Sequence, residues 1–195
     1  MKFFKDPAFM AFVIGGVISF FGFFFPIIYL QLYAVQQNID SSFAFYCIAV
    51  LNGSGVVGRL IANYLADGLG LFPVLVPCLF TTAALIWVVL AVKNIASLAV
   101  VAVLYGIFSG AFLSLSITAT AVLSKSPSEI GARAGVCLGA VGCSILVSAP
   151  LQGAVLGKDF AWIRSVAVSA SFMFVGSFLT LASAYFYHTG RRGPS

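Results

Sequence analysis

Apolar residues run almost unbroken through six stretches of the chain, and polar residues collect between them. The stretches cover residues 8–34, 43–65, 72–92, 98–123, 131–155 and 164–187. At a rise of about 1.5 Å per residue, each is long enough as a helix to cross a hydrocarbon core of about 30 Å. The intervening pieces are short, so consecutive helices must run up and down, and no length remains for a soluble domain or a long linker. The pattern predicts an all-α membrane protein: six transmembrane helices in one bundle over residues 1–195.

Composition supports that reading. Charged residues make up 8% of the chain and apolar residues 62%, with a mean hydropathy of +1.12. A soluble domain carries roughly 25% charged residues, and a water-facing surface cannot be assembled from so few. The charges gather between the apolar stretches, as they must if they avoid hydrocarbon. The net charge of +5 does not point to nucleic acid, because the ten Lys and Arg are scattered in ones and twos and form no basic patch. Lys2 and Lys5 resemble the basic start of a signal peptide. The stretch behind them is too long for one and no small-residue cleavage site follows, so it is read as a true span.

The basic residues set an orientation. Lys2, Lys5, Arg59, Lys125, Arg133, Arg191 and Arg192 fall on one side of the membrane, and Lys93, Lys158 and Arg164 on the other. Seven against three places both termini in the cytoplasm, and the plasma membrane is the expected location. Arg59 lies inside its stretch, near enough to the end for its head group to reach the interface.

Local signals add detail. Ser126-Pro127-Ser128-Glu129 reads as a capping box opening the fifth helix, with Ser126 as N-cap, Pro127 at the first helical position and Glu129 reaching back. Glycines at 53, 55 and 58, at 106 and 110, and at 131, 135 and 139 have the spacing that lets membrane helices approach closely. They predict that the second, fourth and fifth helices pack inside, leaving the glycine-poor third and sixth toward lipid. In the first helix Phe20, Phe21, Phe23, Phe24 and Phe25 precede Pro26, which is expected to kink it. Gly- and Pro-interrupted helices commonly flank transport sites.

Several chemistries are excluded. Cys47, Cys78, Cys137 and Cys143 all lie in apolar stretches and form no C-x-x-C pair, so they read as small buried apolar residues, with no metal site or cofactor expected. Gly53-Ser54-Gly55-Val56-Val57-Gly58 spells G-x-G-x-x-G, but within a membrane-length helix and with no acidic residue about 20 positions on, so it is no dinucleotide site. An intramembrane hydrolase needs a nucleophile and base, or a pair of acids, meeting in the bilayer. The one histidine, His188, lies beyond the last stretch and no acid lies mid-span, so the chain is not read as an enzyme.

The informative segment is Gly58-Arg59, then Asn63, then Ala66-Asp67-Gly68-Leu69-Gly70, at the end of the second stretch. It resembles the cytoplasmic loop motif of the major facilitator superfamily, in the copy between helices eight and nine. Phe4-Lys5-Asp6-Pro7-Ala8-Phe9, Phe20 to Pro26, Tyr105-Gly106-Ile107-Phe108-Ser109-Gly110-Ala111-Phe112 and Ser128-Glu129-Ile130-Gly131 are similar to fungal monocarboxylate-transporter-like members. The resemblance covers nearly the whole chain but only the C-terminal six helices of a twelve-helix fold. Gly68 departs from it, since the motif usually carries a basic residue after its aspartate.

The resemblance implies alternating access, in which two six-helix bundles rock about a central solute site. The first and fourth helices would line the cavity, and the second and fifth would face the other half. Gly58, Arg59, Asp67 and Gly70 would be conformational residues, with Asp67 holding a helix N-terminus of the opposite half by charge and dipole. Asn52, Tyr105, Ser109, Ser116 and Thr120 are the polar candidates for the cavity, the last three on one helical face. With no acid mid-span, proton coupling would fall to the missing half. The expected partners are the bilayer, a small monocarboxylate-like organic solute, and either an N-terminal six-helix half or a second copy of this chain. An inactive fragment and a six-helix scaffold or assembly partner are the alternatives.

Overall fold

The computed structural model describes residues 6–39, 41–124, 126–157 and 159–192. Within them lie six helices: α1 (Pro7–Gln36), α2 (Ser41–Leu69), α3 (Leu71–Val88, followed by a 3₁₀ turn at Val89–Ala91), α4 (Ile95–Val122), α5 (Pro127–Leu156) and α6 (Trp162–Arg192). Each is long and apolar enough to cross a membrane, and the described residues contain no strand. Several run past the apolar stretches at both ends, because polar residues that leave the hydrocarbon still complete the helical hydrogen-bond ladder.

The helix ends follow from local chemistry. Asp6 caps α1, its Oδ1 accepting from the Ala8 N–H at 3.2 Å, with Pro7 in the first turn. Asn94 and Ser97 form a capping box on α4: the Ser97 N–H donates to Asn94 Oδ1 at 2.8 Å, and the Asn94 N–H to Ser97 Oγ at 3.1 Å. The box expected on α5 does not form. Ser126 is its N-cap and Pro127 its first residue, but the Ser126 side chain makes no capping bond, and Glu129 turns instead to Arg133. The ion pair one turn along outcompetes a bond back to the cap. Only Gly70 separates α2 from α3, at φ +92°, where a side chain would be strained.

Two crossings hold the bundle together. In the α2–α4 crossing, Gly55 and Gly58 face Gly106, Ile107 and Gly110 so closely that the backbones touch. In the α1–α6 crossing, Gly15 and Gly22 face Gly176 and the Ser169 carbonyl in the same way. α3 fills the space between α4 and α6, with Leu75, Leu79, Ala83 and Ile86 completely buried.

This corrects the glycine-based packing order. α3 and α6 belong to the core, and α5 is the most open helix. A Cβ on Gly131, Gly135 or Gly139 would meet nothing within 4 Å. α3 packs by filling space with large aliphatic side chains, and α6 approaches α1 through Gly176 and serines, neither of which shows as a glycine repeat. α2 lies close to α4 on one face and open on the other. Pro26 sits inside a continuous α1, where it removes one backbone donor. The neighbouring carbonyls attract side chains from other helices: Phe21 O accepts from Ser148 Oγ (3.1 Å) and Gln152 Nε2 (2.8 Å), and Phe23 O from the Tyr105 hydroxyl (2.5 Å).

Candidate functional site

A cleft of about 400 Å³ opens between α1, α4 and α5, beside α2. Phe20 and Phe24 of α1 and Cys137, Leu138, Val141 and Ile145 of α5 give it apolar walls. The aromatic run of α1 shapes its side, with Phe20 and Phe23 each 5.4 Å, centroid to centroid, from the ring of Phe112 on α4. The polar lining comes from Ser114, Ser116 and Thr120 of α4 and from Arg59 of α2.

The hydroxyl protons of Ser116 and Thr120 are already engaged. Ser116 donates to the Phe112 carbonyl and Thr120 to the Ile117 carbonyl, both at 2.7 Å. Ser114 Oγ accepts from Asn63 Nδ2 at 2.6 Å. Each hydroxyl oxygen keeps lone pairs, so the polar wall of α4 offers acceptors. Among the described residues Arg59 supplies the strong donors and the only cation of the lining, and it forms no ion pair with them. It lies ten residues before the end of α2, about 15 Å along the axis. The arrangement suits an apolar body with one anionic or strongly polar end.

The five cavity candidates separate. Ser116 and Thr120 line the cleft. Tyr105 and Ser109 lie in helix packing instead: Tyr105 is fully buried and bonded to α1, and Ser109 donates to its own Gly106 carbonyl at 3.2 Å. Asn52 is exposed on α2 and bonds its own Ile48 carbonyl at 2.9 Å. The motif residues separate too. Gly58 sits in the α2–α4 crossing, Arg59 on the cleft, and Asp67 and Gly70 on another cavity of about 430 Å³ with Asn63, Thr118 and His188.

Sequence reasoning missed two buried polar groups. Arg133, counted as a flanking charge, is 1% exposed and bonded to Asp6, Glu129 and the Leu123 carbonyl. The four-residue spacing from Glu129 was a usable signal for part of this. Gln152 is wholly buried, donating to Phe21 O and accepting from Ser169 Oγ at 2.9 Å, and a lone Gln in an apolar helix was the signal for it. Of the residues used for orientation, Lys2, Lys5, Lys125 and Lys158 lie outside the described residues, as do the side chains of Arg191 and Arg192.

No family model matches the chain. Among individual proteins, it is 36% identical over 157 residues to the MFS-type transporter dbaD of Emericella nidulans, covering 80% of this chain and 35% of that protein. It is 30% identical to the Aspyridones efflux protein apdF of the same organism, over 87% of this chain and 35% of the relative. It is 28% identical to the MFS transporter asaE of Aspergillus flavus, over 96% and 42%. The chain thus spans less than half the length of these relatives. They are fungal transporters of the major facilitator type and are named for transport, not for an enzymatic reaction. With six apolar helices and such relatives, the chain is an integral, multi-pass membrane protein.

Proposed function

We propose that this chain is the C-terminal six-helix half of a major facilitator transporter, and that the cleft between α1, α4 and α5 is its share of the path for a small organic solute. The cleft carries the reading: it is apolar on two sides, with Ser116, Thr120 and Arg59 converging on the third. A single guanidinium beside an apolar wall favours a solute with one carboxylate or comparable acidic group, which is the monocarboxylate-like class. The name of the Aspyridones efflux protein adds outward movement of the solute as the direction to test.

Alternating access explains the open surfaces. α5 exposes Leu146 and Val147, and α2 exposes Leu60 and Tyr64. A Cβ on Gly131, Gly135, Gly139 or Gly142 of α5 would meet nothing within 4 Å among the described residues. The relatives are more than twice as long as this chain, so a second bundle seated on α2 and α5 would cover these faces and close the cleft. Asp67, in the last turn of α2, would then meet that bundle at its cytoplasmic end. The expected setting is the plasma membrane with both termini inside.

The test is solute flux in sealed vesicles carrying this chain together with the N-terminal half of a relative. Saturable flux of an organic acid that falls at least tenfold in Arg59→Gln supports the reading. Flux indifferent to Arg59, Ser116 and Thr120 refutes it.

A further inference from the structure

Arg133 is almost completely buried, although it lies only seven residues into the most open of the six helices. Its Nη1 donates to Asp6 Oδ2 at 3.2 Å and to the Leu123 carbonyl at 2.9 Å, and its Nη2 donates to Glu129 Oε2 at 3.3 Å. The guanidinium carbon sits 4.9 Å above the Phe9 ring. Asp6 is also the N-cap of α1, and Leu123 the C-cap of α4. One side chain therefore ties together the start of α1, the end of α4 and the start of α5. Glu129 travels with Arg133 on the same helix, so among the described bonds of Arg133 those to Asp6 and Leu123 attach α5 to its neighbours.

At its other end α5 is held by neutral bonds. Ser148 and Gln152 donate to Phe21 O, and the Tyr29 hydroxyl donates to the Ala149 carbonyl at 3.3 Å. Between these two anchors α5 forms a wall of the cleft. On its far side a Cβ on Gly131, Gly135 or Gly139 would meet nothing within 4 Å among the described residues, so no described neighbour on that face blocks a tilt of the helix. Asp6 keeps 14% of its side chain exposed and borders a crevice of about 340 Å³, from which water can solvate the carboxylate once the pair parts.

We propose that the contact of Arg133 with Asp6 and Leu123 is a latch on the cleft. Formed, it holds the start of α5 against α1 and α4 and closes the cleft toward that end of the bundle. Broken, α5 tilts about its Ser148–Gln152 anchor and opens it. Arg133 is then a positioning residue, and its partners lie on helices that α5 would leave behind. The proposal rests on the cleft being the solute path, but the position of α5 can be read without any solute.

Cys137 provides the readout. It stands one turn beyond Arg133, lines the cleft and is 7% exposed. The chain is reconstituted in nanodiscs with its other cysteines replaced by alanine, and the rate of maleimide labelling is measured. Asp6→Asn weakens the pair while keeping an acceptor for the Ala8 cap, and is expected to speed labelling at least tenfold, as is Arg133→Gln. Arg133→Lys restores the rate to within about threefold of the parent, and Glu129→Gln leaves it within twofold. If Arg133→Gln does not fold, Asp6→Asn decides alone. An unchanged rate in Asp6→Asn overturns the latch. So does an equal acceleration at Cys78 on α3, in a chain carrying only that cysteine, because it would report general loosening. A latch that responds while Arg59→Gln leaves solute flux intact would stand, and the solute path would have to lie elsewhere.

Discussion

Gly58 of α2 lies against the carbonyl of Ile107 on α4, so close that a Cβ at Gly58 would overlap the Ile107 oxygen. Gly110 meets Gly55 in the same way, two turns of helix contacting backbone to backbone. Such contact rewards dispersion and excludes lipid, which is how membrane helices associate without a hydrophobic drive between them. Gly58→Ala is therefore expected to destabilise the fold by about 1–3 kcal/mol through overpacking. Gly135→Leu should melt with the parent in detergent, since its side chain enters open space, whereas Ala83→Leu, at a fully buried site on α3, should melt well below it. Thermal unfolding followed by tryptophan fluorescence or light scattering checks all three, and the reverse order of Gly135→Leu and Ala83→Leu would refute this packing.

The six helices were legible because hydropathy alone marks a membrane span: no soluble alternative offers so few charges. Their mutual packing was less legible. Glycine spacing put α2 and α4 among the inner helices, where they cross, but it cannot say whether a small-residue stripe faces a partner within this chain, a partner outside it, or lipid. Gly131, Gly135 and Gly139 have the spacing of a packed ridge, yet a Cβ on any of them would meet nothing within 4 Å among the described residues. The candidate site was half legible for a related reason. Ser109, Ser116 and Thr120 share a helical face, but a 28-residue helix passes several environments, and Ser109 is covered by packing where Ser116 and Thr120 border the cleft. Arg133 was misjudged because a charge near a helix end reads as a solvated flank, and only the fold brings Asp6, 127 positions away, to meet it.

Gln152 gives a second stability prediction. It joins α5 to α1 and α6 at once, through Phe21 O and Ser169 Oγ. Interhelical hydrogen bonds in membranes average about 0.6 kcal/mol each, so Gln152→Leu should cost about 1 kcal/mol. Asn52→Leu removes only a bond to its own helix on an exposed face and should be neutral. Both are measurable by chemical or thermal unfolding in the same detergent. A neutral Gln152→Leu would show that the α5 anchor carries no net energy.

The topology prediction survives a stricter count. Arg133 is buried and Arg59 borders the cleft, so neither is a clean interfacial charge. Leaving both out still gives five basic residues against three on the same side as before. Both termini are therefore expected in the cytoplasm. Epitope tags at either end should be reached by antibody only after the plasma membrane is permeabilised, and labelling of intact cells would reverse the assignment.

The transport prediction turns on Arg59. An ionised donor contacting a carboxylate is worth about 1.5–3 kcal/mol, or roughly ten- to a hundredfold in affinity. Arg59→Gln should raise the half-saturating concentration of an organic acid by about that factor, in vesicles holding this chain with its complementary half. Thr120→Val should have a smaller effect, about two- to fivefold, because its hydroxyl donates within α4 and offers the solute only an acceptor. This chain in vesicles by itself should carry no solute. The cleft is walled by α1, α4 and α5 with Arg59 of α2 beside them, and a path that must face each side in turn needs a second bundle to seal it. Saturable flux by the chain alone, sensitive to Arg59, would instead mean that a second copy supplies the missing wall. Crosslinking across the exposed faces of α2 and α5 would then be expected between identical chains.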